Sequence, residues 1–119
     1  MFNAEGYVIT LSRGDTGAIK ITADTSYTFS SNDRAVFSVK NGAGDVVKQS
    51  IFPIDENNSF TVTFYNADTD SIAAGTYSWD VRYVINPYYD ANGNIVDGDQ
   101  VITPRQPMTL QLLPVVGEV

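Results

Sequence analysis

The segment Asp90-x-Asn92-Gly93-Asn94-x-x-Asp97-x-Asp99 spaces its oxygen-bearing side chains in a way that could serve a cation. Calcium takes six to eight hard oxygen ligands, and side chains at alternate positions around a glycine can supply several of them. The pattern departs from a helix-flanked calcium loop in three respects. Its glycine comes two positions early, no helix is predicted on either side, and Val101 stands where a bidentate acid belongs. An Asn-Gly hairpin turn decorated with acids explains the same residues. Asp90, Asn92, Asn94, Asp97 and Asp99 are therefore weak metal-ligand candidates, and no cofactor is expected.

Other residue types narrow the chemistry further. The chain has no histidine and no cysteine, which removes imidazole and thiolate ligands, Ser-His-Asp and Cys-His arrangements, and any disulfide. Its carboxylates fall mostly in predicted turns, so no acid–base pair stands out, and an enzyme is not expected. Tyr88 and Tyr89, with Tyr83 and Tyr65, could form an aromatic platform for a sugar ring or a protein partner. Tyr88, Tyr89 and Asn92 are the interface candidates, although Tyr83 also reads as strand core. Arg13-Gly14-Asp15 matches an adhesion tripeptide, but it sits between two strands, where Gly and Asp are ordinary turn residues. Asn57-Asn58-Ser59 formally matches a glycosylation acceptor, and nothing else points to a secretory route.

In 119 residues, 14 acids oppose 7 bases for a net charge of −7, with no run of like charge. A basic patch for phosphate neutralisation is not visible, so nucleic acid is not an expected partner. No stretch approaches the ~20 apolar residues of a spanning helix, and no membrane partner is expected. Residues 1–5 lack the basic and apolar regions of a signal peptide, which suggests a product made in the cytoplasm or a fragment already processed.

The elements that would hold these side chains are strands. Short alternating runs separated by Gly, Asn, Asp and Pro clusters predict strands over 7–11, 18–23, 34–40, 46–52, 60–64, 76–85 and 109–113. The facing of 46–52 is ambiguous, and 66–74 has room for one helical turn. Residues 86–107 read as a protruding loop and hairpin arm with Pro104 and Pro107 at its far end, and 114–119 as a tail. One domain over 1–119 is expected. Its predicted core is Leu11, Ile19, Ile21, Phe37, Val39, Phe60, Val62, Phe64, Ile72, Tyr77, Trp79, Val81, Leu110 and Leu112.

Within this pattern Ile72-Ala-Ala-Gly75-Thr-Tyr77-Ser-Trp79-Asp-Val81-Arg-Tyr83 is the most legible run. Ile-x-x-Gly-x-Tyr-x-Trp has the form of the corner in immunoglobulin-like domains where a tyrosine hydrogen-bonds back to the backbone. Gly75, Tyr77 and Trp79 are thus structural candidates, with Trp79 in the place antibody domains give to a cysteine. The fold class that follows is all-β: an immunoglobulin-like antiparallel sandwich of about seven strands.

Together, Tyr7-Val-Ile-Thr-Leu-Ser-Arg-Gly-Asp-Thr-Gly-Ala-Ile-Lys-Ile21 and the run at 72–83 resemble the small immunoglobulin-like domains of phages and prophages of Gram-positive bacteria. Such domains occur at the N-termini of baseplate upper proteins and in short tail-associated proteins. Asn92-Gly93-Asn94 and Thr109-Leu110-Gln111-Leu112 match the family's late hairpin and closing strand, while the 87–107 arm is longer and richer in proline. The resemblance implies a structural module of a virion tail, without an active site. Its partners would be other tail or baseplate proteins and, in the assembly, further copies of itself. The alternative is a carbohydrate-binding or adhesion module that uses Tyr88, Tyr89 and the acidic arm, possible with calcium.

Overall fold

The structure is a computed structural model that describes residues 2–5, 8–23, 27–103 and 108–114. Tyr7, Pro104, Pro107 and residues 115–119, which figure in the expectations above, lie outside the described residues. Alternation of apolar and polar side chains produces strands because successive side chains point to opposite faces of a pleated chain. Nine strands are described: β1 Phe2–Glu5, β2 Val8–Ser12, β3 Gly17–Thr22, β4 Arg34–Lys40, β5 Val46–Pro53, β6 Ser59–Phe64, β7 Gly75–Tyr89, β8 Ile95–Ile102 and β9 Met108–Leu113. A single helical turn, α1 (Asn66–Thr69), lies between β6 and β7.

The strands form two layers. The larger sheet has the order β1-β2-β9-β7-β4-β5, with β8 also paired to β7, and the smaller consists of β3 and β6. This is an all-β sandwich with immunoglobulin-like pairing, carrying more strands than the expected seven. It is also not purely antiparallel. β2 runs parallel to β9, with Ile9 opposite Leu110 and Leu11 opposite Leu112, so the larger sheet is mixed. A parallel pairing has no short local signal, because its two strands lie far apart in sequence.

The core lies between the sheets. Ile9, Leu11, Ala35, Phe37, Val39, Trp79, Val81, Tyr83, Leu110 and Leu112 from the large sheet meet Phe60, Val62 and Phe64 from β6, all buried. Phe37 packs edge-on against Phe64 with ring centroids 6.0 Å apart, and Phe60 against Tyr83 at 6.1 Å. Such aromatic contacts add to the burial of apolar area that drives folding. Ile19, Ile21, Ile72 and Tyr77, expected in the core, pack against it but stay partly open. Among the described residues the smaller sheet consists of β3 and β6, and the residues of β3 alternate between half-buried and exposed.

β7 is the organising strand. Over its 15 residues, Ser78–Val84 pair with β4 along one edge, while the other edge is shared by β9 and β8. Residues Gly75–Trp79 face β9, and Tyr83–Tyr89 face β8. The expected loop at 86–94 is therefore shorter than predicted. Asn86, Pro87, Tyr88 and Tyr89 continue the strand, and only the stretch from Asp90 to Asn94 turns. Pro87, opposite Gly98, lies beyond Val84, the last residue of β7 that pairs with β4, where one edge of the strand has no ladder partner among the described residues. The facing of β5 is decided by β4: Phe52 is opposite Ala35, Ile51 opposite Val36, and the register shifts at Val39/Lys40. That irregularity is why alternation along 46–52 is unclear in the sequence.

Candidate functional site

The site is the arm formed by the end of β7, the turn and β8. At its base, Asp33 is buried, and its carboxylate accepts the backbone N–H of Ser30 at 2.7 Å and that of Asn86 at 3.0 Å. Asn86 has a φ of 47°, a left-handed conformation that asparagine tolerates better than most residues. The turned backbone takes the Asn86 N–H out of the ladder and hands it to Asp33. The side-chain amide of Asn86 donates to Asp99 at 3.0 Å, and the Tyr88 hydroxyl donates to the other carboxylate oxygen of Asp99. That hydrogen bond, with the negative charge of Asp99 beside it, pushes the Tyr88 phenol above its ordinary value. In turn the bonds from Tyr88 and then Asn86 hold Asp99 below the usual carboxylate range.

The turn closes by its own acid. Asp90 accepts the backbone N–H groups of Asn92 at 2.9 Å and Asn94 at 3.0 Å, which lower its pKa, while Gly93 N–H donates to the Asp90 carbonyl at 3.1 Å. Asp97 accepts from the backbone N–H of Gly98 at 2.8 Å. Each acid proposed as a ligand thus holds part of the arm's own backbone or a neighbouring side chain. Among the described residues no three carboxylates converge to hold a metal ion. Asn94 also reaches Asp90 through its side chain at 3.4 Å, and the Asn92 side chain lies open at the tip.

The tyrosines separate. Tyr83 is 2% exposed, stacks obliquely with Phe29 at 5.1 Å, and is pushed up to about 12 by burial. Tyr65 precedes α1, far along the chain, where Asp68 accepts its backbone N–H at 2.7 Å. Tyr88 and Tyr89 are each 48% exposed on the arm. The arm therefore presents a pair of tyrosines, and the four-tyrosine platform does not form.

Two structural candidates at the corner have clear partners. The Tyr77 hydroxyl donates to the Ala73 carbonyl at 2.6 Å, and Trp79 donates through Nε1 to the Thr109 carbonyl at 3.1 Å. Gly75 opens β7. Arg13-Gly14-Asp15 is tied to the same corner. Arg13 donates to the Asp70 carbonyl at 2.9 Å, Gly14 N–H to the Thr69 hydroxyl at 2.8 Å, and Asn66 to the Gly14 carbonyl at 2.8 Å. Gly14 has a φ of 79°, and a Cβ there would lie 3.1 Å from Asn66 Nδ2. Arg13 and Gly14 are thus held by three hydrogen bonds to the single segment 66–70.

Asp33 is the residue that sequence reasoning missed. Its signal was local only, Ser30 and Asp33 spaced as an acidic turn cap, and its long-range partner Asn86 has no sequence signature. Comparison with protein-family profiles finds no match, and comparison with curated proteins finds no relative. Among the described residues no helix is long and apolar enough to cross a membrane.

Proposed function

We propose that this chain is a non-enzymatic structural module of a phage or prophage tail, associated with the baseplate and acting through protein–protein contacts. The observation that carries the contact role is the braced arm. Tyr88 and Tyr89 are half-exposed on a strand anchored at its base by Asp33 and along one face by Asp99. Aromatic side chains held in place before binding lose little freedom on association, which is the property of contact hot spots. The virion setting comes from the resemblance of 7–21 and 72–83 to tail-associated domains; assembly there would be in several copies, after synthesis in the bacterial cytoplasm. Mass spectrometry of induced, purified particles tests it: the chain is expected in intact virions, and its absence would overturn the reading.

The two exposed tyrosines also favour a second reading, a carbohydrate-binding or adhesion module. A glycan array run with and without calcium separates the two. Specific, calcium-dependent binding that is lost in Tyr89→Ala supports the second reading, and a blank array supports the first.

A further inference from the structure

The outer face of the large sheet carries a groove that the arm roofs. Val36 of β4, Ile51 of β5 and Val84 of β7 line its floor, Asn94 and Ile95 at the arm's tip line its wall, and Gln49 and Arg82 complete it, around a volume of about 170 Å³. Val84 and Tyr89, whose partner is Ile95, are five residues apart on β7. A straight strand would separate them by roughly 17 Å. Sharing one groove requires the strand to bend between them, and Asn86 with its φ of 47°, followed by Pro87, is where it can.

The charged residues of β4 and β7 are Arg34, Lys40, Asp80 and Arg82, three cations and one acid, with Asp97 and Asp99 on the neighbouring β8. By register, Arg34 is opposite Val84 and Arg82 opposite Val36, which puts both on the groove's side of the sheet. Arg34 is already used, donating to the carbonyls of Ser31 and Asp33 at 2.8 Å. Arg82 is exposed, and among the described residues it makes no hydrogen bond or ion pair. None of the arm's acids pairs with it: Asp90, Asp97 and Asp99 each keep their hydrogen-bond partners within the arm, and they retain their charge.

We infer that this groove receives an extended protein segment presenting a carboxylate flanked by aliphatic side chains. The carboxylate meets Arg82, whose planar fork suits bidentate pairing, and the aliphatic groups cover Val36, Ile51 and Ile95. Gln49, whose amide donates to Ser38 at 3.1 Å, and Asn94, whose amide reaches Asp90, complete the rim. The inference rests on the protein-contact reading above and adds the contact surface and the partner's chemistry to it.

A randomised linear peptide library selected against the purified full chain tests this, with binding of the enriched synthetic peptides measured by fluorescence anisotropy. Enriched peptides are expected to carry Asp or Glu within two residues of Leu, Ile or Val. Arg82→Glu and Ile51→Asp, both at exposed positions, should each weaken binding by at least tenfold, whereas Lys20→Glu on the smaller sheet should leave it unchanged. Thermal melts of the variants check that the fold is retained. Failure to enrich any peptide, a consensus without an acid, or indifference to Arg82→Glu would overturn the inference. So would concentration-dependent self-association abolished by Arg82→Glu, which would give the groove to a second copy. Virions that contain the chain while no peptide is selected would refute the groove alone, and acidic peptides bound by a chain absent from virions would refute the tail setting alone.

Discussion

The carboxylate of Asp33 accepts the backbone N–H of Asn86 at 3.0 Å, joining residues 53 apart in sequence at the point where β7 leaves the sandwich. The same carboxylate holds Ser30, so one buried group fixes both the approach to β4 and the base of the arm. Burying a carboxylate is costly unless its oxygens are hydrogen-bonded, and here each oxygen has a backbone donor. The arm's geometry is thus set from within the sandwich and not at its tip.

Replacing Asp33 by Ala should leave two backbone N–H groups without their acceptor. Ser30 and Asn86 are both accessible to water, so the loss belongs at the low end for such groups, about 2 kcal/mol in a urea titration. Asp33→Asn keeps an acceptor and should cost less. Hydrogen exchange gives the sharper reading: amides of β8 should exchange faster in Asp33→Ala while those of β3 and β6 do not. Unchanged exchange in β8 would show that Asp33 does not brace the arm.

At the corner, two neighbouring aromatics should respond very differently. Tyr77→Phe removes the bond to Ala73 and little else, a loss of about 1 kcal/mol. Trp79→Ala empties the space beside Phe37, whose ring centroid lies 5.5 Å away, and should cost about 3–5 kcal/mol. Chemical denaturation of both variants checks the pair. Equal losses would mean that the corner bond and the core plug are not separable in the way the structure divides them.

That corner was legible because the residues that mark it are local: Ala73, Gly75, Tyr77 and Trp79 lie within seven residues. The strands with clean alternation, such as Phe60–Phe64 within β6, were legible for the same reason. What sequence could not display were contacts between distant segments. The parallel β2–β9 register, the Asp33–Asn86 bond and the groove between Ile51 and Ile95 each join residues more than forty apart. Asn86-Pro87 misled in the other direction. Its turn chemistry is real, since Asn86 is left-handed, but the chain uses it to bend a strand and does not end one. Tyr88, Tyr89 and Asn92 could be singled out as exposed on an arm, whereas the commitment of Asp99 to Tyr88 required the register of β7 on β8.

Tyr88 and Asp99 make the arm sensitive to acid. Asp99 sits below the ordinary aspartate value of 3.8 in the folded chain, with the Tyr88 hydroxyl as the first cause and Asn86 as the second. A carboxyl depressed on folding contributes order above its unfolded value, and that contribution is lost as pH falls through the folded one. The arm should therefore loosen below pH 3.8, seen as line-broadening of Tyr88 ring resonances, while Trp79 in the core is unaffected. Tyr88→Phe should return the Asp99 carboxyl part of the way upward in a carbon-detected NMR titration, Asn86 still holding it. An unmoved Asp99 titration in Tyr88→Phe would place the cause elsewhere.

Gly98 tests how closely the arm's two strands must approach at the bend. A Cβ built there lies 2.5 Å from Val84 Cγ1 and 2.9 Å from the Ile85 carbonyl oxygen. The first contact is with a side chain that could rotate or be trimmed. The second is with backbone, which cannot move without disturbing the pairing of Ile85 with Gln100 and Pro87 with Gly98. Gly98→Ala should cost about 1–3 kcal/mol by overpacking. Because the neighbours share the clash, Gly98→Ala and Val84→Ala should not add: the double variant should recover part of the loss, measured as a coupling in a denaturation cycle. Recovery of the whole loss would show that Val84 alone enforces the glycine, and no recovery would assign it to the Ile85 carbonyl. In either case the close approach of β8 to β7 beside the bend at Asn86 requires a residue without a side chain opposite Pro87.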